Sequence, residues 1–408
     1  YKGAFHIATM ENICDDINFD KLFKPMICAM KINRCHPEIP RDRKFMCQFI
    51  VMHGLFFFVF CIVIYSIIFF DIKNGDTIQA CANAVISIIF CVVSLKYWVM
   101  LWYQNLIKGL MDEMKIDYSN AKSFSPTEQR IIHKYATDGK KVVEIWVIIS
   151  LTAPSLFVAK SFYLMAYYAI NGEFRLVPLY DLTYPSPVEE IKNEFVVFFI
   201  IYLMLLFYAI YAMMMYIAMT ALGPVFMLHC CGQLEVVKGR LMNIFKENDS
   251  EITTLKKLCD IVKHLQNIYS FLERIQQSFN IMYEIILNFA VLLLPISFYQ
   301  IIQSFHNGDM KIEFITIFIG GLTITSAPCY YSDKIKDMGE DVRLAVYMCG
   351  WENHLNNLKR LRTVMLVIQL RATRAIAINT MFRTICLDAL TDVFHQSYAL
   401  FNILNATH

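Results

Sequence analysis

The chain has 408 residues, 57% of them hydrophobic and only 18% charged, with a mean hydropathy of +0.45. Soluble domains are about 45–50% apolar and about 25% charged, so this balance excludes an ordinary water-soluble fold and indicates one integrated membrane bundle. A net charge of +2 gives no basis for nucleic acid or another polyanion as partner.

The chain starts at Tyr1, which reads as a trimmed start, and no signal-peptide pattern precedes the first apolar run. Residues 1–45 form a mixed, charged leader with room for short amphipathic helices. A spanning helix needs about 20 mostly apolar residues. The first span, 46–70, holds no formal charge, and its His53 reads as a hydrogen-bonded core histidine. A polar turn over 71–76 leads to the second, 77–103, which Lys96 interrupts and which closes on Trp98, Trp102 and Tyr103, an interfacial aromatic belt. The charged connector 104–141 precedes the third span, 142–170, and a Pro/Tyr-rich loop, 171–194, precedes the fourth, 195–227. In the polar stretch 228–277, apolar residues from Leu255 to Ile275 recur at helical spacing, so this helix is expected to run unbroken into the fifth span, 278–302. The sixth span is 314–331, and 332–383 is again charged and amphipathic, with a stripe of Leu358, Leu361, Met365 and Ile368. These stripes must bury on each other or on another subunit, which makes 228–277 and 332–383 a helical packing region and an oligomerisation surface. The last segment, 384–408, holds the seventh span and a short tail.

Lysine and arginine fix the orientation. From the leader onward, the segments outside the spans carry eight, one, seven, two, seven, one, nine and no Lys or Arg. By the positive-inside rule, this alternation puts the N-terminus in the cytoplasm and the C-terminus outside. The fold expected is therefore an all-α polytopic membrane protein with seven transmembrane helices and a cytoplasmic helical region. A G-protein-coupled receptor has the opposite orientation. Of two glycosylation sequons, Asn405-Ala406-Thr407 falls outside and Asn248-Asp249-Ser250 inside.

The seventh span is threaded with polar residues. At 100° per residue, Thr384, Asp388, Thr391, Asp392, His395, Tyr398 and Asn402 share one arc of about 120°. The other side carries Cys386, Leu390, Val393, Leu400 and Leu404, with Ser397 its one polar exception. One wet face and one greasy face suit either a pore lining or packing against neighbouring helices. If the stripe lines a water-filled path, Asp388 and Asp392 favour cations. If the helix is only packed, Arg383 is their nearby partner.

No catalytic motif is present, so no enzyme is expected, and no cofactor. None of the thirteen cysteines has metal-ligand spacing, and the topology puts none in an outside loop, so neither a metal site nor a structural disulfide is expected. His264 reads as a surface or satisfied histidine. Lys160, in the outer half of the third span, either faces a hydrated cavity or acidic partner, or snorkels or forms a structural pair. The outer halves of spans two, three, four and six hold aromatic residues with few polar groups, as a small-molecule pocket requires. The candidates are Asn83, Ser87, Ser155, Ala159, Phe162, Tyr163, Phe199, Tyr202, Phe318 and Thr323. Ordinary helix packing explains each of them singly as well.

The tail Leu387-Asp388-Ala389-Leu390 … His395-Gln396-Ser397-Tyr398-Ala399-Leu400-Phe401 resembles the insect odorant receptor family. So do Glu340-Asp341-Val342-Arg343-Leu344-Ala345-Val346-Tyr347 … Trp351 and the loop Leu176-Val177-Pro178 … Tyr184-Pro185. The resemblance covers essentially the whole chain, and its specificity lies in the order and spacing of the motifs together with the inverted topology. It implies an odorant-gated, non-selective cation channel subunit that binds a small volatile apolar ligand in the outer half of its bundle. It further implies a tetramer whose pore is built from four seventh spans, cytoplasmic anchor helices that carry the intersubunit contacts, and a surround of membrane lipid. Most members are tuning subunits that work with an odorant co-receptor in the plasma membrane of olfactory sensory neurons, at the dendrite. The co-receptor ends in T-Y-x5-Q and has a long second cytoplasmic loop. Here Ser397-Tyr398 is followed by Leu404 at the Gln position and the loop 104–141 is short, so the chain resembles a tuning subunit. The same Leu404 separates it from the gustatory receptors.

The resemblance also implies a narrow gate near Phe401 and Leu404, which lie with Ser397 on the apolar side of the helical wheel. Two arrangements stay open. Either the gate is greasy and the polar stripe packs inward, or the stripe lines a wider vestibule. The pore candidates are therefore Asp388, Asp392, His395, Ser397, Phe401, Leu404 and Asn405. The alternatives in function are a homomeric ligand-gated channel and a metabotropic seven-helix chemoreceptor.

Overall fold

Apolar runs separated by charged connectors become long helices, and in the computed structural model they follow one another almost without irregular chain. It describes residues 17–245, 250–306, 311–351, 359–372 and 377–406. The leader before residue 17, Leu358, and the sequon residues Asn248 and Thr407 lie outside the described residues, as does the side chain of Leu361.

Two short helices, α1 (Phe19–Leu22) and α2 (Lys24–Ile32), precede α3 (Arg43–Ser66), which is N-capped by the Asp42 carboxylate and widens into a π-turn over Ile67–Asp71. Then come α4 (Thr77–Trp102), α5 (Gln104–Asn120) and α6 (Pro126–Ile170). The start of α6 is set by a Ser125/Glu128 capping box with Pro126 at its first position, where a missing N–H costs nothing. The short α7 (Ser186–Ile191) lies in the Pro/Tyr-rich loop, and α8 (Phe195–Met219) follows. The chain then turns at Thr220 into α9 (Leu222–Asn243). One unbroken helix, α10 (Glu251–His306), joins the amphipathic stretch to the fifth apolar run, as the spacing predicts. It is followed by α11 (Ile312–Met348), α12 (Lys359–Ala372) and α13 (Leu387–Ala406).

Two boundaries differ from the sequence reading. The fourth apolar run breaks at Thr220 instead of continuing to residue 227. Pro224 cannot donate to the Thr220 carbonyl and its ring crowds that position, so the helix stops and restarts. Thr384 is not helical. It pairs with Asn379 in a small hairpin, where its hydroxyl donates to Asn379 Oδ1 (2.7 Å) and Ile385 N–H donates to the Ile378 carbonyl (2.9 Å).

Six helical segments among the described residues are long and apolar enough to cross a membrane, which makes the chain an all-helical multi-span membrane protein. Their outward faces carry large exposed apolar side chains such as Ile50, Phe57, Ile148, Phe195 and Ile200, a surface suited to lipid and not to water. Helix α9 occupies the centre and packs on α6, α10 and α11. Close approach there requires glycine: a Cβ on Gly223 would lie 1.8 Å from the Tyr283 hydroxyl. The other end of the bundle is tied by polar bonds between α5, α6, α9, α10 and α11. Glu128 binds Arg240, Glu113 binds Arg274, Asp341 binds Lys238, and His264 bonds Gln233. His264 is thus a satisfied histidine. The twelve described cysteines are all free thiols.

Candidate functional site

A cavity of about 120 Å³ lies between α4, α6, α8, α10 and α11. Its α6 wall is Trp146, Ser150, Ala153 and Phe157, whose spacing of three and four keeps them on one helical face. Across the space, α8 presents Tyr208, Ala212 and Tyr216. On α11, Gly320 and Gly321 keep the helix close to its neighbours. A Cβ on Gly321 would meet Leu294 Cδ2 at 3.2 Å, and one on Gly320 would meet Ile149 Cγ2 at 3.5 Å.

An aromatic stack fixes the back wall. The Phe56 ring lies 4.5 Å from that of Tyr208 and 4.9 Å from that of Phe90, and Phe60 stacks on Phe90 at 4.1 Å. The Tyr208 hydroxyl donates to the Ile86 carbonyl (2.8 Å), so it is already committed. His53 joins this cluster beside Tyr211, at 3.4 Å from its hydroxyl, in line with its reading as a core histidine. The Ser150 hydroxyl is different: it is buried without a hydrogen-bond partner among the described residues. Pro154, one turn on, has no N–H to give to the Ser150 carbonyl. The wall of the chamber on α6 is otherwise apolar and aromatic, as an apolar ligand requires.

A second chamber of about 90 Å³ adjoins the first and is polar, with Gln79, Asn83, Lys160, Asp181 and Glu313 in its walls. The two chambers share Ile86, Phe157, Tyr180 and Phe314. The Phe157 ring packs edge-on against Tyr180 (5.0 Å) and Phe314 (6.3 Å), so these rings form a collar between the spaces. The loop that carries Tyr180 is tied down by Ser161 Oγ donating to the Val177 carbonyl (2.8 Å) and Gln79 Nε2 donating to the Asp181 carbonyl (2.7 Å). Lys160 has the acidic partner its position in the span suggested: Nζ lies 2.6 Å from Glu313 Oε1, and the Glu313 side chain is 6% exposed.

Of the ten pocket residues read from the sequence, only Asn83 lines either chamber, and its amide already donates to Asp71 Oδ2 (2.7 Å). Ser87 is buried and bonds the Asn83 carbonyl. Ser155, Ala159, Phe162, Tyr163 and Phe199 are exposed on the outer faces of α6 and α8. Tyr202 is buried against the Phe162 ring (6.1 Å), away from both spaces. Phe318 packs on Phe298 (5.5 Å), and the Thr323 hydroxyl donates back to the Ile319 carbonyl. The chambers are lined by other faces of the same helices. Helix-interior Pro154 and the pair Gly320-Gly321 were the available signals, because both mark places where backbone nears a neighbour or a cavity.

Helix α13 lies against α10 and α11. Ala389, Leu390, Val393 and Ser397 are buried on that side, and the Phe401 ring meets Phe298 at 5.1 Å. Ser397 Oγ donates to the Val393 carbonyl (2.7 Å), and Leu404 is half-buried. The polar arc is left uncovered: Asp388, Thr391, Asp392, His395, Tyr398, Asn402 and Asn405 are exposed. Arg383 does not pair with the aspartates. Its guanidinium binds Glu284 Oε1 (2.9 Å) and Asn288 Oδ1 (2.7 Å) on α10. Thr380 also donates to Glu284, and Leu387 N–H donates to Asp333 Oδ2 (2.8 Å) on α11.

Residues 76–398 match the protein family described as 7tm Odorant receptor. The chain is 24% identical to Odorant receptor 13a of Drosophila melanogaster over 198 residues, 45% of this chain. That match spans about half, 47%, of the curated relative's length. The structure of the insect olfactory receptor OR5 from Machilis hrabei in complex with eugenol superposes with a TM-score of 0.77 at 12% identity, covering 96% of this chain and 99% of that one. A second structure of OR5 from the same organism gives a TM-score of 0.68 at 15% identity, covering 95% and 98%. At such identities the likeness is one of fold.

Proposed function

The chain belongs to the insect odorant receptor family, and from that premise we propose that it is the ligand-binding, tuning subunit of an odorant-gated, non-selective cation channel. The observation that carries this reading is the dry chamber between α4, α6, α8, α10 and α11, walled mainly by apolar and aromatic side chains. Such a chamber suits a small volatile molecule with at most one polar atom. The eugenol complex of the Machilis receptor supports a ligand of this size class.

In this reading α13 is the seventh span. The alternation of Lys and Arg supports a cytoplasmic N-terminus and an extracellular C-terminus. Four α13 helices surround the pore and turn their exposed polar faces to it, so Asp388 and Asp392 attract cations while Ser397 and Phe401 hold the helix to its own subunit. The chain works with a co-receptor in an olfactory neuron's plasma membrane, a role supported by Leu404 where a co-receptor carries Gln.

The test is expression in oocytes with and without a co-receptor. Odour-evoked current is expected only with both. Ala153→Phe, which fills the chamber, should abolish the response to every odorant without reducing surface expression. Asp388→Asn or Asp392→Asn should change permeability or block. Current from this chain alone would favour a homomeric channel, and an extracellular N-terminus would favour a metabotropic receptor.

A further inference from the structure

The two chambers differ in chemistry and touch, and this has a consequence for the ligand. We infer that the site is bipartite and takes a neutral, oxygenated amphiphile: an apolar tail in the dry chamber, and an ester, ketone or ether oxygen beyond the aromatic collar at Lys160. The inference rests on the dry chamber being the ligand site.

Three observations lead here. First, the partition between the chambers is made of side chains. Phe157 and Phe314 come from two helices and Tyr180 from a loop, so what separates the spaces is side chains and not backbone. Second, the outer chamber holds an ion pair instead of carbon. Lys160 gives one N–H to Glu313, and its side chain is 37% exposed, so further donors are available. Third, the pair filters charge. A carboxylate that took Lys160 would strand Glu313, whose side chain is buried, and leaving a buried carboxylate without its cation is unfavourable. An ammonium would face Lys160 itself. A neutral acceptor oxygen meets neither penalty. It accepts an N–H that Glu313 leaves unused, and a hydrogen bond to a charged donor is stronger than one between neutral groups. A plain hydrocarbon fills the inner chamber and gains nothing at the outer one. Lys160 is thus the specificity-determining residue, and Glu313 positions it.

The experiment uses the full chain, co-purified with its channel partner in lipid nanodiscs, and equilibrium dialysis against empty nanodiscs. The probes are methyl octanoate, nonane, octanoate and octylamine. The ester is expected to bind at least about ten-fold more tightly than nonane, the worth of one charge-assisted hydrogen bond, and more tightly than either ion. Lys160→Met should reduce the ester-to-nonane ratio to within about two-fold. Because that variant strands Glu313, the double variant Lys160→Met/Glu313→Leu is measured beside it and should show the same loss of preference. A wild-type ratio near one, or a ratio that survives in both variants, overturns the bipartite site. If neither neutral probe binds above the empty-nanodisc level, or if Ala153→Phe leaves both affinities unchanged, the dry chamber itself fails as the ligand site.

Discussion

Helices α8 and α9 are consecutive, yet they are buried in opposite proportion to their polarity. Helix α8 is the more apolar, but Phe195, Val196, Phe199, Ile200, Leu203 and Ile210 are exposed. Helix α9 contains His229, Gln233, Glu235 and Lys238, yet every residue from 222 to 234 is buried. In water the greasier helix would go inside. In a bilayer, lipid solvates apolar faces as well as protein does, so hydrophobicity does not decide which helix is central. What admits α9 is small residues and satisfied polar groups. Gly223 lets Tyr283 approach, His229 bonds Asp117 (3.0 Å), and Gln233 bonds His264 (2.9 Å). The boundary between the two helices also meets a fully buried lysine. Lys96 is 0% exposed, with Nζ donating to Thr220 Oγ1 (2.5 Å) and lying 4.0 Å from the centre of the Tyr216 ring.

The largest effect is expected at the centre. Gly223→Leu drives a side chain into Tyr283 and should cost more than about 3 kcal/mol, read as loss of the monodisperse peak in detergent chromatography. A folded Gly223→Leu protein would show that α9 is not tightly enclosed. Next comes Arg383→Ala, which leaves the buried Glu284 carboxylate without its cation and should cost about 3–5 kcal/mol in thermal unfolding. The paired change Arg383→Leu/Glu284→Leu should recover most of that loss, and failure to recover would mean that the hairpin depends on other bonds. Lys96→Met should raise stability by about 1 kcal/mol or more, because a desolvated amine gives way to an apolar chain of similar shape. A fall in melting temperature would mean that the Thr220 and Tyr216 contacts outweigh desolvation. The smallest effect is on the lipid side: Phe199→Ala should stay within about 0.5 kcal/mol. A larger loss would place Phe199 against protein, not lipid.

The sequence exposed the helices more clearly than their faces. Hydropathy located the six long apolar runs, and helical spacing from Leu255 to Ile275 disclosed the unbroken α10, because both depend on local composition. For Lys160 an acidic partner was one of the readings left open, because an ionised group inside a span needs a polar partner, water or a route to the surface. The dry chamber was not legible. Helix α8 is apolar all round, so nothing in its pattern separates Tyr208 and Ala212 from Phe199. On α6, Ser155, Ala159 and Phe162 look as suitable as Ser150, Ala153 and Phe157, and only packing against α8 and α11 tells them apart. The hairpin before α13 escaped notice for another reason. Its bonds to Glu284 and Ser332 join residues far apart in the chain, which no local periodicity encodes.

That hairpin gives α13 a mechanical character. Hydrogen bonds to two different helices fasten its root, whereas its far half is held through apolar contact such as Phe401 on Phe298. A helix of 20 residues is about 30 Å long, so a tilt of about 10° at the root carries the tip sideways by about 5 Å. The exposed aspartates, in the first turns, would hardly move under such a swing, while Asn402 and Leu404 would travel most of the distance. A rod pivoting at such a root would keep its charge at the pivot and its travel at the free end.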